Sequence, residues 1–241
     1  MTAPLLSLTS VSKRFGGLLA VDSVDLHVGA GELVSIIGPN GAGKTTLFNL
    51  LTGQLAPSSG NVRFEGRDIG ALTAPERARA GFGRTFQIAQ TLTSLSVLEN
   101  AMIGAFLRHR GVTEAAQRAE AALALVGLHG KAGVRAGLLT LSERRRLEVA
   151  RALALEPRIV LLDEVMAGLN PTEIGGMIEL VQRLNAGGLT FLVIEHNLKV
   201  VRQFSHRVMV LHRGAKLAEG TATEVLADPA VVEAYIGKAR Q

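Results

Sequence analysis

One stretch of eight residues constrains this chain more than any other. Gly38-Pro39-Asn40-Gly41-Ala42-Gly43-Lys44-Thr45 fits G-x-x-x-x-G-K-[ST] at every position. Such a stretch does its chemistry only between a buried strand and the start of a helix. Both flanks are present. Leu33-Val34-Ser35-Ile36-Ile37 is a nearly unbroken apolar run, as expected of a strand covered on both faces, and residues 46–51 predict an apolar helix. Glycines let successive backbone N–H groups converge on phosphate oxygens, where a Cβ would block the approach. The helix N-terminus adds partial positive charge. Lys44 is a point charge for β- and γ-phosphates, and Thr45 offers a hydroxyl to Mg2+. Residues 38–46, Thr46 included, are therefore expected to hold a nucleoside triphosphate.

Two further apolar runs end in polar residues suited to the same chemistry. Ile159-Val160-Leu161-Leu162 leads into Asp163-Glu164. A buried strand in an α/β fold delivers its C-terminal residues to the crevice where ligands bind. Asp163 is expected to hold Mg2+ through water, and Glu164 to orient or deprotonate the attacking water. Phe191-Leu192-Val193-Ile194 leads into Glu195-His196, where an imidazole would sense the γ-phosphate. A histidine at a strand end is more often structural, so this reading leans on the other motifs. Gln87 closes Gly83-Arg84-Thr85-Phe86-Gln87, placed for its amide to touch metal and water. Taken alone it is an ordinary polar loop residue.

Around these motifs the periodicity changes twice. Val24, Leu26 and Val28 alternate with polar neighbours, residues 57–60 read as a turn, 61–65 as a strand and 66–68 as a second turn. From about 96 to 155 the spacing is helical; 113–126 is the clearest case, with Ala115, Ala119, Ala122, Leu123 and Val126 on one face and Gly127 as the stop. Strands at 158–163, 190–195 and 207–212 then alternate with helices at 171–185 and 197–204, and Asp228-Pro229 opens a short last helix. The pattern is an α/β core with a helical insertion. Hydrophobic residues are 47% and charged residues 20% of the 241, which excludes a disordered chain. Cysteine is absent, which excludes a disulfide framework, a thiolate metal site and a cysteine nucleophile. The net charge of +5 suits a phosphate ligand, an anionic membrane or nucleic acid, and selects none of them. No apolar run approaches the roughly 20 residues that span a bilayer, and Met1-Thr2-Ala3-Pro4 lacks the basic start of a signal peptide. A soluble, cytosolic protein is expected.

These motifs, in this order, resemble the ATP-binding subunits of ABC transporters over essentially the whole chain. The resemblance implies an α/β fold: a P-loop NTPase (RecA-like) core with an antiparallel β subdomain and an inserted α-helical subdomain. It implies one nucleotide-binding domain over 1–241, with the core at about 1–87 and 156–241 and the helical part at 88–155. ATP and Mg2+ are the implied cofactors, with ATP hydrolysis coupled to transport. Lys44, Glu164, His196 and Gln87 take the catalytic positions, and Thr45, Gln87 and Asp163 those around the metal. Gln87 matches the Q-loop, His196 the switch histidine and Ala167-Gly168-Leu169-Asn170 the D-loop. Phe15, in Lys13-Arg14-Phe15-Gly16-Gly17, stands where an aromatic ring stacks on adenine; a packing role is the alternative. Such subunits close head to tail in pairs on two ATP molecules.

Several stretches are similar to a narrower group, the branched-chain amino-acid importers and their larger ATPase. They are Phe15-Gly16-Gly17-Leu18, Arg84-Thr85-Phe86-Gln87, Ala167-Gly168-Leu169-Asn170-Pro171, Glu195-His196-Asn197 and Val232-Glu233-Ala234-Tyr235-Ile236-Gly237. ATPases for urea, short amides, aromatic acids or lipopolysaccharide share part of this pattern. The implied partners are polytopic permease subunits, a second ABC ATPase subunit or a second copy of this chain, and indirectly a periplasmic or extracellular solute-binding protein. The implied place is peripheral, on the cytoplasmic face of the inner membrane, with no direct nucleic acid contact. One rival is a soluble ABC-type ATPase acting on ribosomes or nucleic acid, which usually carries two nucleotide domains or long coiled-coil insertions. Another is a regulatory module that binds ATP without useful hydrolysis.

The family's signature loop, L-S-G-G-Q, is missing. Counting back without a gap from Arg145-Arg146-Leu147-Glu148 places it at Leu139-Thr140-Leu141-Ser142-Glu143. Matching the letters "LS" instead gives Leu141-Ser142-Glu143-Arg144-Arg145 and needs a two-residue deletion. On the ungapped count Thr140 keeps the hydroxyl that meets the partner's ATP. Ser142 replaces a glycine and is expected to cap a helix running to about Leu155. Arg144, Arg145 and Arg146 would oppose that helix's dipole by about 0.3–1 kcal/mol each. Either a nearby phosphate or a solvated basic face would account for them. Val165 stands where many relatives have proline.

Overall fold

The computed structural model describes residues 3–85 and 91–236. The chain opens with β1 (Leu6–Phe15), β2 (Leu18–Val28), β3 (Leu33–Ile37), α1 (Lys44–Leu51), β4 (Ser59–Phe64), β5 (Arg67–Asp68), α2 (Ala74–Ala80) and β6 (Phe82–Arg84). Helices α3 (Val97–Ala105), α4 (Val112–Leu125) and α5 (Leu141–Leu153) follow, then β7 (Ile159–Asp163) and α6 (Pro171–Ala186). The last part holds β8 (Thr190–Ile194), α7 (Leu198–Phe204), β9 (Arg207–His212), β10 (Ala215–Gly220), α8 (Ala222–Ala227) and α9 (Pro229–Ile236). No helix among the described residues is long and apolar enough to cross a membrane. The chain divides into two compact units, residues 1–77 with 190–241, and residues 78–189.

The first unit carries an antiparallel sheet of order β2-β1-β4-β5, and strands in the order β10-β9-β3-β8. β3 lies parallel to both β9 and β8, while β10 runs antiparallel to β9. A strand with parallel neighbours on both edges must be apolar on both faces, and every residue of β3 is buried. Its one polar side chain, Ser35, is paired hydroxyl to hydroxyl with Ser205 at 2.6 Å. Beside it, Ile37, Val208 and Val210 pack with Val201 of α7, Ala222 and Val225 of α8 and Val231 of α9. Burying each large side chain contributes about 1.5–3 kcal/mol. The expected turn at 57–60 is shorter than its residues suggest: β4 starts at Ser59, which pairs with Ser12 beyond an irregularity in β1. The turn expected at 66–68 is instead Glu65-Gly66, both at positive φ, and Arg67 and Asp68 pair back onto β4.

The second unit pairs β6 with β7 in parallel and packs α3, α4 and α5 together. Helix α4 buries Ala115, Ala119, Ala122 and Leu123, with Val126 also buried, so the face read from the spacing is the inner one. Three helix starts of this unit carry reciprocal capping boxes: Ser96 with Glu99 on α3, Thr140 with Glu143 on α5, and Asn170 with Glu173 on α6. The cap of α5 is therefore Thr140 and not Ser142. Thr-x-x-Glu closes two donors at once, whereas Ser142 has Arg145 three residues on and cannot.

Candidate functional site

The loop after β3 is shaped by its backbone. Gly38 has φ +151, and a Cβ there would come within 2.2 Å of the Leu211 carbonyl oxygen, so only glycine leaves the strand this close to β9. Gly43 has φ +101, and its Cβ would meet the Ala20 carbonyl oxygen of β2 at 2.5 Å. Behind the loop, the Ala42 carbonyl accepts from the Gly214 N–H at 3.0 Å, and the Gly214 carbonyl from the Asp22 N–H at 2.8 Å. The Lys44 ammonium donates to the carbonyls of Gly38 at 2.7 Å and Pro39 at 3.0 Å, which folds the side chain back over the loop. No side chain caps α1 and no acid lies in its first turn, so nothing within the helix neutralises the positive end of its dipole. Asn40, Gly41 and Thr45 form an exposed rim, Pro39 and Thr46 are half-buried, and Ala42 is buried.

The far end of α1 holds a residue the sequence did not single out. Arg77 is fully buried and donates to the carbonyls of Leu50 and Leu51 at 2.5 and 2.8 Å. Burial pulls its pKa down to about 10, against the opposing charge of Asp68. A cation here complements the negative end of the helix whose other end opens the loop.

In the second unit β7 ends at Asp163, which is 2% exposed. Arg84 Nη2 lies 3.3 Å from Asp163 Oδ2, and the Thr85 hydroxyl accepts from the Asp163 N–H at 3.1 Å. Burial lowers the pKa of Arg84, and the Asp163 carboxylate opposes that shift. Glu164 follows at φ +48, half-buried, its carbonyl accepting from the Ala167 N–H at 3.0 Å. Arg84 has no task in the sequence, because nothing local ties it to a carboxylate 79 positions away.

Phe15 and His196 belong to the first unit, Thr140 and Ser142 to the second. Gln87 lies outside the described residues. Phe15 pairs with Leu18 across a two-glycine turn and is 45% exposed. The Lys13 ammonium lies 5.3 Å from its ring centroid. Ala20, which closes on Gly43, is two residues past Leu18 on β2, about 7 Å along the strand. His196 is exposed, just beyond Glu195, which is 1% exposed. Glu195 is a second unassigned residue, and its sequence signal matches that of Asp163: an acid ending an apolar run. Thr140 is exposed and Ser142 half-buried.

The solvated basic face expected for the three arginines does not describe Arg145, which is buried. Arg144 donates to the carbonyls of Leu139 and Gly137, Arg145 pairs with Glu148 at 3.2 Å with both side chains under 9% exposed, and Arg146 donates to Val126. All three are used within the helical unit. Among the described residues no group of three or more His, Cys, Asp or Glu could cage a metal ion.

The profile of the ABC transporter family matches residues 21–167, more than half of the chain. The chain belongs to the ABC transporter family. Residues 215–240 also match the profile described as branched-chain amino acid ATP-binding cassette transporter. Among ABC relatives, the high-affinity branched-chain amino acid transport ATP-binding protein LivG of Salmonella typhimurium is 39% identical over 99% of this chain and 100% of its own. BraF of Pseudomonas aeruginosa, of the same description, is also 39% identical over 99% and 100%. The ADP conformation of the ABC cassette MJ1267 superimposes with a TM-score of 0.90 at 34% identity, covering 98% of this chain and 100% of that one. The α/β class and the P-loop NTPase core expected from the sequence are those of this family.

Proposed function

We propose that this chain is the ATP-hydrolysing subunit that energises an ABC importer for branched-chain or related amino acids. The observation that carries the reading is the loop itself. Lys44 is held over it by two carbonyls while α1 opens without a cap or an acid, a backbone arrangement made for polyphosphate. ATP lies with its β- and γ-phosphates on the N–H groups of residues 38–46 and on Lys44. Phe15 offers an exposed ring to the adenine. Mg2+, when bound, neutralises developing charge on the phosphates; Thr45, Asp163 and Gln87 are the residues that would hold it, Asp163 through water. Glu164 orients or deprotonates the attacking water, and His196 and Gln87 sense the γ-phosphate. Most of the rate comes from positioning and fixed charge.

Thr140 faces the nucleotide of a second ATPase, with Ser142 beside it; that second subunit is a related, smaller ATPase or a second copy of this chain. Leu138 and Leu141, 78% and 42% exposed, flank Thr140 as an apolar rim that suits such a partner. Phe106 and Leu107 after α3, 43% and 39% exposed, suit a permease subunit. The chain then works as a peripheral subunit on the cytoplasmic face of the membrane. The test is affinity capture of the tagged chain from detergent-solubilised native membranes. Two polytopic membrane proteins and a second ATPase are expected. Ribosomal or DNA-bound proteins without a membrane partner would overturn the importer reading and leave the ATPase.

A further inference from the structure

Tyr235 is the only tyrosine of a chain that has no tryptophan. It stands near the end of α9, inside the stretch that matches the branched-chain transporter profile. Its ring packs against the cluster of Ile37, Val210, Val225 and Val231. Ile37 is the residue before the phosphate loop, and Val210 precedes Leu211, whose carbonyl closes on Gly38. The Tyr235 hydroxyl is buried beside the Gly38 backbone, without a hydrogen bond of normal geometry among the described residues. Burial pushes the phenol up to about 12, and the neighbouring Gly38 N–H acts the other way. Phenylalanine would fill the same apolar seat without burying a hydroxyl, which costs about 1–3 kcal/mol when its bonds are not met. The hydroxyl therefore needs a purpose other than packing, and what it reaches is the first residue of the loop.

We propose that Tyr235 is a positioning residue for nucleotide binding: its ring seats α9 against Ile37 and Val210 beside the root of the phosphate loop, and its hydroxyl closes onto the Gly38 backbone when the loop is loaded, so that loading the loop and seating α9 are coupled. The proposal rests on the reading of residues 38–46 as the nucleotide site. It gives the terminal segment a physical task in the ATPase cycle: bracing the loop from the end of the chain. Coupling between two sites is reciprocal. If the hydroxyl favours the loaded loop, nucleotide must change the surroundings of Tyr235, and removing the hydroxyl must weaken nucleotide by the same factor.

Both halves are measurable on the full chain. ADP with Mg2+ is titrated by calorimetry into the unmodified protein and into Tyr235→Phe, and the tyrosine emission of the unmodified protein, which reports a single residue, is followed in the same titration. We expect a saturable change in emission with the calorimetric midpoint. ADP affinity in the variant should be about three- to tenfold weaker, the scale of one hydrogen bond, with kcat at saturating ATP within about twofold. An affinity equal to that of the unmodified chain overturns the proposal, and so does an emission that ignores bound ADP. If Tyr235→Phe does not fold, the emission titration decides alone. Failure of the unmodified chain to bind ADP would instead overturn the reading of the loop, and this proposal with it.

Discussion

Glu164 sits in the left-handed region at φ +48, where a side chain costs on the order of 1 kcal/mol, directly after a buried strand. Strain tolerated at that position agrees with a residue aimed rather than packed. Glu164→Gln keeps the shape and removes the carboxylate proposed to activate water. It should leave nucleotide affinity within about threefold and cut turnover by about 10²- to 10⁴-fold; equal multiple-turnover rates in both proteins would take Glu164 out of the mechanism. At this scale a candidate site is legible in the sequence wherever its residues are contiguous. Residues 38–45 are one uninterrupted stretch, and Asp163-Glu164 ends an apolar run. Arg84 was not legible, because its tie to Asp163 depends on the register of two parallel strands. Thr140 as a helix cap was legible and missed: Thr140 and Glu143 have capping-box spacing, which outranks an isolated serine.

Elements were legible where their periodicity is strong, as in β3, α4 and β9, and less so where pairing across the sheet sets the limits. β4 begins inside an apparent turn because Ser59 finds Ser12 across the irregularity in β1. The anchoring of β3 to β9 and β10 was invisible for the same reason. Arg207 Nε donates to Glu32 Oε1 at 2.7 Å, and the same guanidinium pairs with Glu219. Burial raises the pKa of Glu32, but the Arg207 hydrogen bond and charge and the Gly29 N–H outweigh it, so the carboxylate sits below its ordinary 4.5. A lowered carboxylate contributes stability that is complete above its unfolded pKa and is lost as pH falls through the folded one. Urea denaturation should therefore show Glu32→Gln less stable than the unmodified chain at neutral pH, with the gap closing as pH falls below about 4.5. A gap independent of pH would mean that packing, not charge, is what Glu32 supplies.

At the scale of the whole molecule the proposed machinery is divided: the glycine-rich loop and His196 lie on one compact unit, Asp163, Glu164 and Thr140 on the other. The family was legible because its motifs run in a fixed order along the chain. The solute is legible only through the likeness to branched-chain importers, since the residues that would select it belong to other subunits. The most direct measurement is ATP-dependent uptake of labelled leucine into vesicles holding the captured membrane complex, with the unmodified chain or with Lys44→Ala. Uptake that needs ATP inside the coupled compartment and falls to background with Lys44→Ala is the result this account predicts. Undiminished uptake with Lys44→Ala, under conditions where the variant is confirmed in the complex, would contradict it.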